Sequence, residues 1–509
     1  MSPGAAPSEL RFDAWRKRVG MLAGPAALLV IWVVPLPLGT DAHRLAAIMG
    51  LVGVWWISEA VPLSVTAMFG TALAVLAGIS SPAGAFAPFA HPIIFLFIGS
   101  FIIGRAIAVH ELDLRIARSL LRSKLVDGKV TRIPMVLGLL CVGVSGWING
   151  TATTAMMMPL AIGVLSAMRA QGVEPGRNFG SRTMLTIAFA ASIGSKITPV
   201  GAASNMVALG FLESIGGVRI EFVTWMIMGI PLTIVMAFLL IVAVGWLMPH
   251  SDAVKAARIS GEEAAGMEKG GGGPLTRAQK NCLLVFVGTV FFWLLPGILR
   301  LSSDAPEIET LAERLNLGTV AVLGASLLFI LPAGSPTRKF TLTWKEAVQI
   351  DWGTILLFGG ALSLGQMMFA TGLAEGIGRG LIAVSGAESL WGVTAMALAA
   401  AIALTNLTSN TATAEMVLPV LGSLGVAIQV NPLLLMVPAT LSASCAFMLP
   451  VATPPNAIVF SSRYVTIPQM VRAGIWLNLV GVVLITGFVY LLLPRVWGIL
   501  LDGPLLAIP

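Results

Sequence analysis

Long apolar runs recur from one end of this sequence to the other: Met21–Pro37, Leu45–Ile57, Phe222–Met248, Cys282–Leu299, Gly318–Leu331 and Ile475–Leu493. A helix needs about 20 such residues to cross the hydrocarbon core of a bilayer. The chain is 57% hydrophobic and 11% charged, whereas soluble domains carry about 25% charged residues. The chain therefore reads as an all-α polytopic membrane protein, with the lipid bilayer as its first partner.

The net charge of +7 does not point to nucleic acid. The basic residues cluster in short polar stretches, which is how orientation is set in a membrane. Arg11, Arg16, Lys17 and Arg18 precede the first apolar run. Residues 1–20 are thus expected to be a cytoplasmic tail, in a bacterial-type inner membrane. The run that follows is long and lacks the small-residue cleavage site of a signal peptide. Cys141, Cys282 and Cys445 have no metal-ligand spacing and read as small packing residues. The four histidines are far apart, and no HExxH, GxSxG or P-loop is present. Neither an enzyme nor an organic cofactor is expected.

The longest polar interruption, 250–281, holds a four-glycine run and five Lys/Arg. It reads as a cytoplasmic linker between two halves, 21–249 and 282–509. The halves repeat. "TATTAMMMPLA" from Thr151 matches "TATAEMVLPVL" from Thr411, 260 positions on. "FIGSFIIGR" from Phe97 matches "FGGALSLGQ" from Phe358, with Gly99/Gly360 and Gly104/Gly365 in register. "ASIGSKITPVGAASN" from Ala191 matches "ASCAFMLPVATPPN" from Ala443, and the final asparagines are 251 apart (Asn205 to Asn456).

The repeat also reads as inverted. After the first glycine block comes a basic stretch with Arg115, Arg118, Arg122, Lys124, Lys129 and Arg132, and with Leu114, Leu121 and Leu125 at helical spacing. It reads as an amphipathic helix at the cytoplasmic surface. Its counterpart in the second half carries only Arg379, which places it outside.

Inverted repeats with helices broken at mid-membrane are the mark of secondary transporters, whose site lies where the broken tips meet. Here the polar stretches are Gly146–Pro159 and Leu404–Pro419. Their Gly, Asn, Ser and Thr disfavour helix continuation and offer partners to freed backbone groups. Half-helix N-termini and hydroxyl or amide donors suit a carboxylate. Free carbonyls with Ser, Thr and Asn oxygens suit sodium.

On these residues the sequence resembles the divalent anion/sodium symporter family, the di- and tricarboxylate carriers. "TSNTATAEMVLP" carries that family's Ser-Asn-Thr signature, and "SASCAFMLPVATPPNAIVF" (Ser442–Phe460) looks like its most specific one. The resemblance implies a homodimer with about 11 transmembrane helices, a scaffold region, and an elevator-type transport region bearing two re-entrant hairpins. It implies that a small dicarboxylate (succinate, malate, fumarate or 2-oxoglutarate) meets Ser409, Asn410 and Thr411, with Thr453 and Pro454 nearby. On the first tip the equivalents are Asn149, Gly150, Thr151 and Thr198. It maps a second sodium site to Thr405, Thr408, Asn410 and the carbonyl of Ala452.

The first half departs from that pattern. Asn149-Gly150-Thr151 stands where Ser-Asn-Thr is expected, so the asparagine of a first sodium site is Gly150, while Ser145 is retained. Lys196 stands in what should be a glycine-rich loop. An ammonium there is a functional candidate, although a snorkelling or structural role is the other reading. The sharper expectation is that its charge replaces the first sodium. A fixed cation does not leave with the substrate, which predicts exchange, or symport with fewer sodium ions. Glu415, opposite Ala155 of the first half, is expected to pair with Lys196, to carry a proton or to face water. Arg105 reads as a surface anchor or a further anion contact.

The alternatives are a fully sodium-coupled dicarboxylate or citrate symporter, or a carrier of another divalent oxyanion such as sulfate. A channel would need a continuous pore lined by charged or carbonyl rings. Paired broken helices favour alternating access instead.

Overall fold

The apolar runs are helical in the computed structural model of the chain, which describes residues 7–121, 128–214, 217–259, 273–302, 306–385, 390–427 and 430–497. Among the described residues, six helices are long and apolar enough to cross a bilayer: Pro82–Val109, Gly150–Ala170, Phe222–Leu247, Arg277–Arg300, Trp352–Ala370 and Ile467–Leu492. Others are too short to do so. Ile133–Ser145 has 13 residues, Leu390–Thr405 has 16 and Leu433–Ala443 has 11. At about 1.5 Å per residue they reach roughly 16–24 Å, less than the ~30 Å core. Such helices are too short to cross that layer on their own.

Among the described residues, one small antiparallel pair, Pro332–Ser335 with Arg338–Phe340, departs from the all-α expectation. The expected N-terminal tail is helical from Pro7 onward, in the helix Pro7–Val33. Charged residues are compatible with helix, so hydropathy marks the depth of lipid rather than the helix end. Arg16 of this helix pairs with Glu59 at 3.2 Å. Residues 122–127 of the basic stretch and 260–272 of the linker lie outside the described residues.

The repeat in sequence has a counterpart in element order. From Pro92 the chain runs Pro92–Val109, Leu112–Leu121, Ile133–Ser145, Gly150–Ala170, Gly176–Gly194, Ala203–Ser214 and Phe222–Leu247. From Trp352 it runs Trp352–Ala370, Leu373–Ser385, Leu390–Thr405, Asn410–Ala427, Leu433–Ala443, Pro454–Ser461 and Ile467–Trp497. The paired glycines pack crosswise. A Cβ on Gly99 would stand 2.4 Å from the Ala321 carbonyl carbon, and one on Gly360 would stand 2.7 Å from the Ala67 Cβ. Each half thus uses its glycine to approach a helix of the other half, as small residues do in membranes. The second pair is unequal: Gly104 has open space, whereas Gly365 abuts Phe211.

Polar contacts gather around the basic stretch. Arg115 donates to the Pro274 carbonyl at 3.3 Å and to Gln279 at 3.2 Å. His110 Nε2 lies 2.7 Å from the Thr341 carbonyl, and the backbones of Lys129 and Arg258 pair in an isolated antiparallel bridge. Arg105 donates to Gln349, in the polar stretch before Trp352. Buried apolar side chains of both halves, among them Leu45, Phe97, Phe189, Phe358 and Phe447, form one large core, and a smaller cluster joins Ile103 and Leu112 to Cys282 and Leu328. The two halves are therefore packed into each other around the broken segments.

Candidate functional site

The first short helix ends at Ser145 and a new one starts at Gly150. Asn149 caps the new helix, its side-chain oxygen accepting from Thr151 N at 2.9 Å, the ordinary work of an N-cap asparagine. The break is therefore only 146–149, and Thr151 already lies in the first helical turn. The second tip is alike: Leu390–Thr405 stops, 406–409 turn, and Asn410–Ala427 begins. Both tips leave polar groups partly exposed. Asn149 is exposed and Gly150, Thr151, Ser409, Asn410 and Thr411 are half-buried.

Each tip is braced by a broken helix of its own half. Gly176–Gly194 and Ala203–Ser214 flank the segment 195–202, and Leu433–Ala443 and Pro454–Ser461 flank 444–453. One asparagine ties each break. Asn205 donates to the Ser195 and Thr198 carbonyls at 2.8 and 2.9 Å. Asn456 donates to the Ala446 and Leu449 carbonyls at 2.9 and 3.0 Å. All three pairs of partners are 251 positions apart. The sequence repeat contained these asparagines, but their acceptors are backbone atoms and leave no trace in residue type. Replacing Asn205 or Asn456 with leucine leaves two buried carbonyls unmatched, at ~1–3 kcal/mol each. A clear fall in the thermal unfolding midpoint in detergent is expected for either variant.

Thr198 is fully buried and donates to the Gly146 carbonyl, so it braces the first tip from below. On the second tip, Asn406 Oδ1 accepts from Met448 N at 2.9 Å. Thr453 caps Pro454–Ser461 by accepting from Asn456 N at 3.3 Å, and Pro454 beside it is exposed.

Below the second rim lies a group of buried oxygens. Thr405 Oγ1 is 2.7 Å from Asn410 Oδ1 and 2.5 Å from the Ala443 carbonyl. Thr408 Oγ1 is 2.9 Å from Thr413 Oγ1. Thr405 has one hydroxyl hydrogen for two close acceptors. An oxygen-rich, hydrogen-poor arrangement of this kind suits a small hard cation. The carbonyl beside Thr405 is that of Ala443, while Ala452 is buried in the turn Pro450–Ala452.

Lys196 lies between the halves. It is 0% exposed, and its Nζ donates to the Ser192 carbonyl and, across 248 positions, to the Ser444 carbonyl, both at 3.1 Å. Its Nζ is 6.0 Å from the Phe447 ring centre. Ser204 and Ser444 hydroxyls are 3.0 Å apart at the same junction. The ammonium thus caps the C-terminal ends of both broken first halves, where helix dipoles place negative charge. Ser145 bonds the Cys141 carbonyl at 2.6 Å and packs on Gly194. A Cβ on Gly150 would lie 3.3 Å from the Ala191 carbonyl oxygen, so the first tip closes where an asparagine would need room. Glu415 makes no ion pair with Lys196 among the described residues, and both its oxygens are buried without a partner.

The sequence is matched over residues 15–501 by the family described as "Sodium:sulfate symporter transmembrane region". The sodium-dependent dicarboxylate transporter SdcS of Staphylococcus saprophyticus is 32% identical over 495 residues, 96% of this chain and 93% of the relative. The protein of the same name from Staphylococcus aureus (strain USA300) is 30% identical over 498 residues, with the same coverage of 96% and 93%. Among solved structures, the Alcanivorax borkumensis YdaH transporter aligns over 97% of this chain and 98% of its own, with 12% identity and a TM-score of 0.49.

Proposed function

The chain belongs to the sodium:sulfate symporter family, and from that membership we propose that it carries small dicarboxylates across the membrane in company with sodium. Its relatives are named as transporters and not as enzymes. The observation that carries the reading is the layered second tip: a solvent-facing rim of Ser409, Asn410 and Thr411 above the buried oxygens of Thr405, Thr408, Asn410 and Ala443. One substrate carboxylate meets that rim beside Thr453 and Pro454. The other meets Asn149, Gly150 and Thr151, with Thr198 in support. The helices starting at Gly150 and Asn410 turn their positive ends to the tips, which favours anions. Sodium, carried with the substrate, takes Thr405, Thr408, Asn410 and a carbonyl from Ala443 or Ala452.

Lys196 supplies a fixed positive charge in the half whose sodium-site asparagine is Gly150, where Ser145 is retained. Coupling is then to one sodium rather than two, or the carrier works by exchange. The site moves as an elevator in a homodimer built from two inverted repeats, with the N-terminus in the cytoplasm. Uptake of labelled succinate into proteoliposomes tests the reading. Sodium should stimulate uptake with a slope near one, and malate, fumarate and 2-oxoglutarate should compete better than sulfate. Equal uptake in choline and sodium would end the sodium role, and displacement by sulfate alone would end the dicarboxylate one.

A further inference from the structure

Five residues into the helix that begins at Asn410, Glu415 is 2% exposed, and neither carboxyl oxygen meets a hydrogen-bond partner among the described residues. Its helix packs against Ala203–Ser214, Trp352–Ala370, Leu373–Ser385, Leu390–Thr405 and Leu433–Ala443. Of these, Trp352–Ala370, Leu390–Thr405 and Leu433–Ala443 carry no charged side chain, and Cys445 follows the last. Ala203–Ser214 brings Glu213, which lies 4.0 Å from His91. Leu373–Ser385 brings Glu375 and Arg379, which pair with each other on the surface. Lys196 donates to the Ser192 and Ser444 carbonyls and lies beside the Cys445 thiol. A bare carboxylate is far harder to desolvate than a neutral acid. The closed arrangement seen here therefore fits the protonated side chain, and the ionised one requires water to reach the helix.

We propose that Glu415 is a proton site of the transport cycle. It takes a proton from water on the loading side as substrate and sodium bind, and releases it to water on the other side as they leave. This deepens the dicarboxylate-carrier reading and rests on it. Lys196 travels with the site in both directions. In the loaded form, its charge and one sodium balance a doubly negative substrate only if Glu415 is protonated. In the empty form, its charge is balanced only if Glu415 is ionised. Both crossing forms are then neutral, and no net charge has to move against the membrane potential. Without a titrating Glu415, the empty form would cross with a net charge, and the carrier would be held to exchange. His250, outside the spans, is pushed down to about 4 by burial and then by nearby Arg182. It stays neutral over roughly pH 6–8 and supplies no competing proton there.

The test uses full-length protein in proteoliposomes with trapped pyranine, external labelled succinate and sodium. Wild type should acidify the lumen by about one proton per succinate taken up into vesicles without internal substrate. A potassium potential set with valinomycin should leave that rate unchanged. Glu415→Gln imitates the neutral acid. It should keep succinate–succinate counterflow within about twofold, lose lumen acidification, and lower net uptake into empty vesicles by at least about tenfold. Glu415→Asp should recover proton movement. Wild-type net uptake into empty vesicles without acidification, or full net uptake by Glu415→Gln, overturns the proton site and leaves the dicarboxylate reading standing. Loss of counterflow in Glu415→Gln also overturns it, because the loaded form should still cross. Absence of counterflow in wild type defeats the dicarboxylate reading and the proton site together.

Discussion

Replacing Lys196 with methionine is expected to weaken succinate binding by at least about thirtyfold, since losing the attraction of one fixed charge for a dianion costs roughly 2 kcal/mol at an effective dielectric near 20. Methionine keeps the length and the apolar stem, so packing against Phe447 survives. What is lost is the donor shared by the Ser192 and Ser444 carbonyls. That donor does two jobs. It presents positive charge to a dianion, and it ties the first broken segment to the second. Calorimetric titration of purified Lys196→Met with succinate at saturating sodium separates the two. If the tie alone mattered, affinity would stay near wild type while the thermal midpoint fell. The charge role requires affinity to fall whatever happens to the midpoint.

Replacing Thr405 with valine is expected to raise the sodium concentration for half-maximal uptake by at least about tenfold, as one missing ligand removes a bond of ~1.5–3 kcal/mol to a charged group. Valine preserves the branched shape, so the fully buried site should hold its packing. Thr405 lies beneath the rim, bonded to Asn410 Oδ1 and the Ala443 carbonyl. Its loss should therefore act on sodium and leave succinate affinity at saturating sodium within about threefold. Asn410 belongs to both layers, and Asn410→Ala should damage both. A Thr405→Val protein with an unchanged sodium titration would remove the cation from this group of oxygens.

The tips were legible because they break the apolar run with residues that also recur 260 positions later, at Thr151 and Thr411. Their geometry was less so. The runs Gly146–Pro159 and Leu404–Pro419 marked where the helices break but not where they resume, at Gly150 and Asn410. A good cap shortens a break: Asn149 satisfies Thr151 N at once. The partners of Lys196 could not be read, because one is a carbonyl 248 positions away and any residue type offers a carbonyl. The same holds for Ala443 beside Thr405. Glu415 stood out in the sequence as unmatched by Ala155, but only packing shows that no cation meets it among the described residues. The hairpin Pro332–Phe340 was missed because seven paired residues give hydropathy no period to show.

Equilibrium binding of labelled succinate to purified wild type, Thr151→Val and Thr411→Val, each with and without sodium, bears most directly on whether the two tips share one substrate. A shared site predicts that sodium strengthens wild-type binding and that each single variant loses about tenfold or more in affinity, the weight of one charge-assisted hydrogen bond. Wild-type affinity in either variant would mean that one tip never touches the substrate, and the two-tip account would be wrong.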